Sequence, residues 1–84
     1  MELRDKVYVK VNVDFDFNGS ITPNYITWAD GRVFEVDRIL DVREAASHRA
    51  GGQGTRYTCR IQNKERYLFQ ESLDGRWFVE AYRK

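Results

Sequence analysis

From Lys6 to Phe17 the chain alternates without a break. Val7, Val9, Val11, Val13, Phe15 and Phe17 take the odd positions. Lys10, Asn12, Asp14 and Asp16 take the even ones, with Tyr8 the single aromatic among them. A period of two with one apolar and one polar side predicts a half-buried β-strand. The run is about twice the length of an ordinary strand, and a strand that long coils or bends when its sheet curls. Asn18-Gly19 ends it, and Pro23 bars a central-strand position for its neighbourhood, because proline cannot donate to a ladder.

Tyr25 to Ala29 reads as a second strand, with Ile26 and Trp28 on one face. Asp30-Gly31 predicts a two-residue hairpin turn, and Arg32 to Val42 a third strand. In that strand Phe34, Val36, Leu40 and Val42 keep step while Val33 and Ile39 do not, so a bulge is expected near Arg38. A short helix over 36–46 competes with it, since Val36, Ile39, Leu40 and Arg43 also fit helical spacing. The β-branched content and the preceding hairpin favour the strand.

Residues 45–54, rich in glycine and without apolar payload, predict an irregular, mobile connection. Thr55 to Gln62 alternates again, with Tyr57, Cys59 and Ile61 inward and Arg56, Thr58, Arg60 and Gln62 outward. Asn63-Lys64 is expected to turn the chain into a fifth strand, Arg66 to Glu71. Asp74-Gly75 leads to a sixth, Arg76 to Arg83. Trp77, Val79 and Ala81 share one face of that last strand. Phe78 and Tyr82 share the other with Glu80, while Tyr67 and Phe69 face away from Leu68. Six strands joined by short turns predict an all-β fold, a small antiparallel six-stranded barrel or strongly bent sheet, with a β-rich α+β arrangement as the alternative.

Length and composition bound this picture. Eighty-four residues make one domain, 1–84. With 42% hydrophobic and 14% aromatic residues the chain can build one core, which rules out a disordered chain. The apolar set leans to Val, Ile, Phe, Tyr and Trp, which suits a pleated surface. The single cysteine, Cys59, permits no internal disulfide, and no apolar run spans a membrane. With no signal-peptide pattern at the start, a cytoplasmic location is expected.

A net charge of +1 selects no partner, but its distribution does. Between residues 43 and 66, Arg43, Arg49, Arg56, Arg60, Lys64 and Arg66 stand against only Glu44 and Glu65. Gly51, Gly52 and Gly54 lie among them. Glycine-loop amides can cradle a phosphate and arginine can clamp it. Small β-barrels bind single-stranded nucleic acid on a face of basic and aromatic side chains. Arg43, Arg49, Gly51, Gly52, Gly54, Arg56 and Arg60 are therefore the candidate anion site, nucleic acid first, with Tyr57 or Phe78 available to stack if exposed. No Lys-Ser/Thr follows the glycines, so the loop is not a P-loop. The bland alternative is a flexible hairpin whose arginines are solvated or paired with Asp37, Asp41 and Glu44.

Asp14, Asp16, Asn18 and Gly19 open like a calcium loop. Tyr25 stands where the bidentate Glu should be, Pro23 intrudes, and the entering element is a strand, so a polar strand face and turn explain the same residues. The two-sided apolar pattern of the last strand suggests either a covered face or a partner surface, including self-association through Phe78, Tyr82 or an open strand edge. No cofactor motif is present. One His and one Cys cannot build a structural zinc site. Asp14 and Asp16 share one face of one strand, unlike paired acids that face each other across a cleft, so a non-catalytic binding module is expected.

The segments Trp28-Ala-Asp-Gly-Arg-Val-Phe-Glu-Val-Asp-Arg-Ile-Leu-Asp-Val-Arg43, Gly51-Gly-Gln-Gly-Thr-Arg-Tyr-Thr58 and Trp77-Phe-Val-Glu80 resemble a family of short uncharacterised bacterial proteins. There is a fainter similarity to a domain of unknown function found alongside translesion-polymerase-like proteins. No activity is established for either group. The second resemblance implies a leaning toward nucleic-acid biology and carries over no catalytic residue.

Overall fold

The computed structural model describes residues 4–46 and 53–82. Seven antiparallel strands form one curled sheet, a half-barrel: β1 Arg4–Phe15, β2 Ile21–Thr27, β3 Val33–Glu35, β4 Arg38–Ala46, β5 Gln53–Ile61, β6 Lys64–Glu71 and β7 Trp77–Tyr82. The order across the sheet is β3-β2-β1-β7-β6-β5-β4. No helix occurs among the described residues, so the helical alternative for 36–46 gives way to β4.

The long strand foreseen at the start of the chain does two jobs. Arg4–Val9 pairs with β7, and Lys10–Phe15 pairs with β2. Val9 and Val11 pack on the core, but the apolar side outruns it: Phe15 and Phe17 are 72% and 102% exposed. Alternation sets which way a side chain points. It does not supply an opposing layer to cover it.

The turns differ in length from those expected. Asp16 N–H donates to Ser20 O and Gly19 N–H to Asp16 O, closing a loop of Phe17, Asn18 and Gly19. Trp28 and Arg32 close Ala29-Asp30-Gly31 in the same way. In both, only the glycine has positive φ, 89° and 91°, the left-handed position of a type I turn followed by a bulge. The two-residue turn lies instead at Gln62-Asn63, one residue before the expected place. Both of its residues have positive φ, 51° and 62°, as such a turn demands.

Pro23 lies inside β2, opposite Val13 and next to a register shift. This breaks no rule: β3 pairs only with Tyr25–Thr27, so β2 has a single ladder partner at Pro23. The third strand expected over 32–42 is two strands, which raises the count from six to seven. The break is at Val36-Asp37, whose N–H groups donate to Asn24 O and Arg60 O. That corner ties β2 to β5, strands far apart in the sheet order, and so curls the sheet. The bulge expected near Arg38 lies between Ile39 and Asp41.

Of the irregular connection expected over 45–54, Ala45, Ala46, Gln53 and Gly54 are strand residues, and 47–52 lie outside the described residues. β4 runs through Ala46, and β5 begins at Gln53. Gly54 is buried in β5 between Ala45 and Glu71, where a Cβ would run into the backbone carbonyl of Gln70.

The concave side holds the core of Ile26, Tyr57, Cys59, Ile61 and Leu68. Phe34, Val36, Ile39, Trp77 and Val79 pack around it. The inward set read for β5 is therefore correct, and every other residue of β5 and β6 must point to the convex side.

Candidate anion-binding face

Register fixes what the convex side carries. Arg43 of β4 lies directly opposite Arg56 of β5, and Arg38 directly opposite Arg60. Between these pairs Asp41 faces Thr58. Four guanidinium groups therefore share one face of two neighbouring strands. Three of them, Arg43, Arg56 and Arg60, belong to the site predicted from sequence. Arg38 was missed, because a strand read as continuous through 36–37 gives no register for it.

The four differ in their partners. Arg43 Nε donates to Asp41 Oδ2 at 2.7 Å, which raises the arginine pKa and lowers that of the aspartate. Arg56 lies over the Tyr67 ring, 4.5 Å from its centroid. Its Nε is buried and has no hydrogen-bond partner. Arg38 and Arg60 are exposed and form no ion pair with any described residue. Of the acids proposed to neutralise this set, only Asp41 forms an ion pair with one of them.

Beside the arginines lies an aromatic layer. Phe69 and Phe78 face each other across β6 and β7 and stack, centroids 5.0 Å apart and planes 6° from parallel. Tyr8 meets Phe78 edge-on, and Tyr67 meets Phe69 edge-on. Cations cover the rings: Lys6 over Phe78 at 5.0 Å and Arg76 over Tyr8 at 4.1 Å. Glu71 accepts hydrogen bonds from Tyr8 Oη and Lys6 Nζ. These bonds hold the Glu71 carboxyl below its ordinary pKa and raise those of Tyr8 and Lys6.

This layer corrects the stacking proposal. Phe78 is 1% exposed beneath its neighbours, and Tyr57 is buried in the core against Trp77. Neither offers a free ring. The half-exposed rings of this face are Tyr8 and Tyr67, at 39% and 46%. The self-association reading loses Phe78 as an exposed contact for the same reason.

The remaining candidates sort plainly. Arg49, Gly51 and Gly52, with His48, lie outside the described residues. Gly54 is a strand residue whose lack of a side chain is required by packing. Asp14 is exposed on β1, while Asp16 Oδ1 accepts from Phe17 N and Asn18 Oδ1 from Ser20 N. Those bonds shape a three-residue hairpin loop. Among the described residues no three His, Cys, Asp or Glu side chains gather as metal ligands. Cys59 is fully buried, and burial pushes its thiol up to about 11. No protein-family model, curated protein or solved structure matches the chain.

Proposed function

We propose that the convex face of β4 and β5 binds an anionic ligand, single-stranded nucleic acid first. The observation that carries this reading is the pair of cross-strand arginine pairs, Arg43–Arg56 and Arg38–Arg60. Like charges directly opposite on a sheet destabilise it, on the order of 0.2–1 kcal/mol per pair. A phosphate between two guanidinium groups turns that cost into a charge-assisted clamp. Arg56 and Arg60 are four residues apart on one strand, roughly 13 Å at ~3.3 Å per residue, a span a single polynucleotide strand can track. Tyr67 of β6 stands beside β5 and is half exposed with Arg56 over its ring, so a base would meet it together with a guanidinium. The resemblance to a domain found alongside translesion-polymerase-like proteins leans the same way.

A protein-interaction role, by self-association through an open strand edge, is the rival reading. β4 is an outer strand of the sheet, and Leu40 and Val42 on it are exposed. Its charged residues and its bulge are features that blunt such edges, so this reading has less support.

Salt separates the two. A fluorescent single-stranded oligonucleotide is titrated at low and at moderate ionic strength. Arginine–phosphate binding weakens steeply with salt, by a log–log slope of about 0.7 per phosphate neutralised. Arg38→Ala and Arg60→Ala should each weaken binding and reduce that slope while leaving the fold intact. Absence of binding at low salt sinks the proposal. Salt-independent self-association seen by sedimentation supports the rival.

A further inference from the structure

β6 and β7 are joined as a hairpin, yet only two residue pairs hold them together, Phe69–Phe78 and Gln70–Trp77. Beyond these the strands part. Lys64–Leu68 on one side and Val79–Tyr82 on the other face a gap with no ladder between them, although β5 and β1 pair their outer edges throughout. The gap opens onto the concave side as a groove of about 600 Å³. Ile26, Trp28, Phe34 and Val79 contribute apolar lining; Lys64 and Arg66 line it from the concave side, while Glu65 and Glu80, opposite Arg60 and Lys6, belong to the convex side of the same gap. Lys64 and Arg66 lie opposite Ile61 and Cys59 of the core, so both project to the concave side. Both are exposed and neither forms an ion pair with a described residue.

We infer that this notch is a docking site for an extended acidic peptide, which enters as an added strand between β6 and β7. Two facing strand edges with unmade ladder bonds call for a partner that supplies backbone N–H and C=O groups, and an extended polypeptide does so on both of its sides. Because β6 and β7 run antiparallel, the added strand is parallel to one and antiparallel to the other. Its side chains alternate, and one set faces the groove. Near the closed end of the notch, level with Leu68, that set meets apolar lining and must be apolar. Toward the open end it meets Arg66 and then Lys64 and must be acidic. The recognised chemistry is an apolar residue and two carboxylates at every second position.

The probe is a short blocked peptide that alternates threonine with two glutamates and a phenylalanine, tested together with its reversed sequence. It is titrated into isotope-labelled protein and followed at the backbone amides. The expected result is shifts confined to 64–68 and 79–81 for one of the two directions. Exchanging the glutamates for lysines should cost tenfold or more in affinity, and N-methylation of the peptide backbone should abolish binding. The double variant Lys64→Glu, Arg66→Glu, whose fold the same spectrum checks, should prefer the lysine peptide. Equal binding of the N-methylated peptide overturns the proposal, because the groove then reads side chains only. So does binding of decanoate at these amides without binding of either peptide, which assigns the groove to a small amphipathic acid, and so does silence at millimolar peptide. These amides are not those of the β4–β5 arginines, so failure of oligonucleotide binding leaves this test unaffected.

Discussion

The two faces of the sheet bury aromatic and aliphatic groups by different means. On the concave side, curvature brings β2, β3 and the β4 corner over β5 to β7, and apolar residues cover one another. On the convex side no second layer of strands among the described residues closes over Phe69 and Phe78, yet they are 3% and 1% exposed. Tyr8 and Tyr67 flank them, and Lys6 lies over Phe78 as Arg56 lies over Tyr67. Long cationic side chains bury their stems on apolar surface and keep their heads in water. Burial therefore does not need a second sheet. It does need charges to be held in place, and on this face Glu71 and Asp74 hold Lys6 and Arg76 over the rings.

The largest test of this contrast is a matched pair of truncations. Leu68→Ala on the concave side should cost about 2–5 kcal/mol, and Phe78→Ala on the convex side about 3–5 kcal/mol. Both are read by urea denaturation with labelling of Cys59, a thiol that stays unreactive until the sheet opens. A cost below about 1 kcal/mol for Phe78→Ala would mean that the convex layer is not a second core.

Arg56→Ala should affect the two properties unequally. Stability should change little, because the variant loses the cover over Tyr67 and also removes a buried Nε that has no partner. Affinity for the oligonucleotide should fall several-fold. A large loss of stability with unchanged affinity would make Arg56 a packing residue alone.

The smallest effect is a pH dependence. The hydrogen bonds from Tyr8 and Lys6 depress the Glu71 pKa, so its folded value lies below its unfolded one. The stability it contributes is complete above the unfolded value, about 4.3, and is lost as pH falls through the folded one. Glu71→Gln should flatten the acid limb of a stability–pH curve in that range and leave the neutral region nearly level. An unchanged acid limb would mean that this carboxylate does not organise the convex layer.

Much of the architecture is legible in the sequence, because side-chain direction in a strand is a local property. β1, the inward set of β5 and the two-sided pattern of β7 follow from alternation alone. What depends on distant partners does not. The corner at Val36-Asp37 is stabilised by carbonyls of Asn24 and Arg60, and nothing local marks it. The pairing of Arg38 with Arg60 depends on that corner and was hidden with it. Two-sided alternation predicts apolar groups on both faces of β7, but whether Phe78 is covered depends on Tyr8, seventy residues earlier in the chain. The notch is less legible still, since the local pattern of a hairpin implies a continuous ladder.

β1 also constrains the order of assembly. Its second half finds β2 across a three-residue loop, whereas its first half must pair Arg4 with Tyr82. On a ribosome that half waits until the last strand has emerged, with one edge and one apolar side unsatisfied. Contacts so distant in sequence slow folding, because a large loop must close before any of them forms. The hairpin Arg4–Thr27 is thus the earliest element able to form and the latest to be completed. A chaperone that shields nascent strands would have its longest opportunity there.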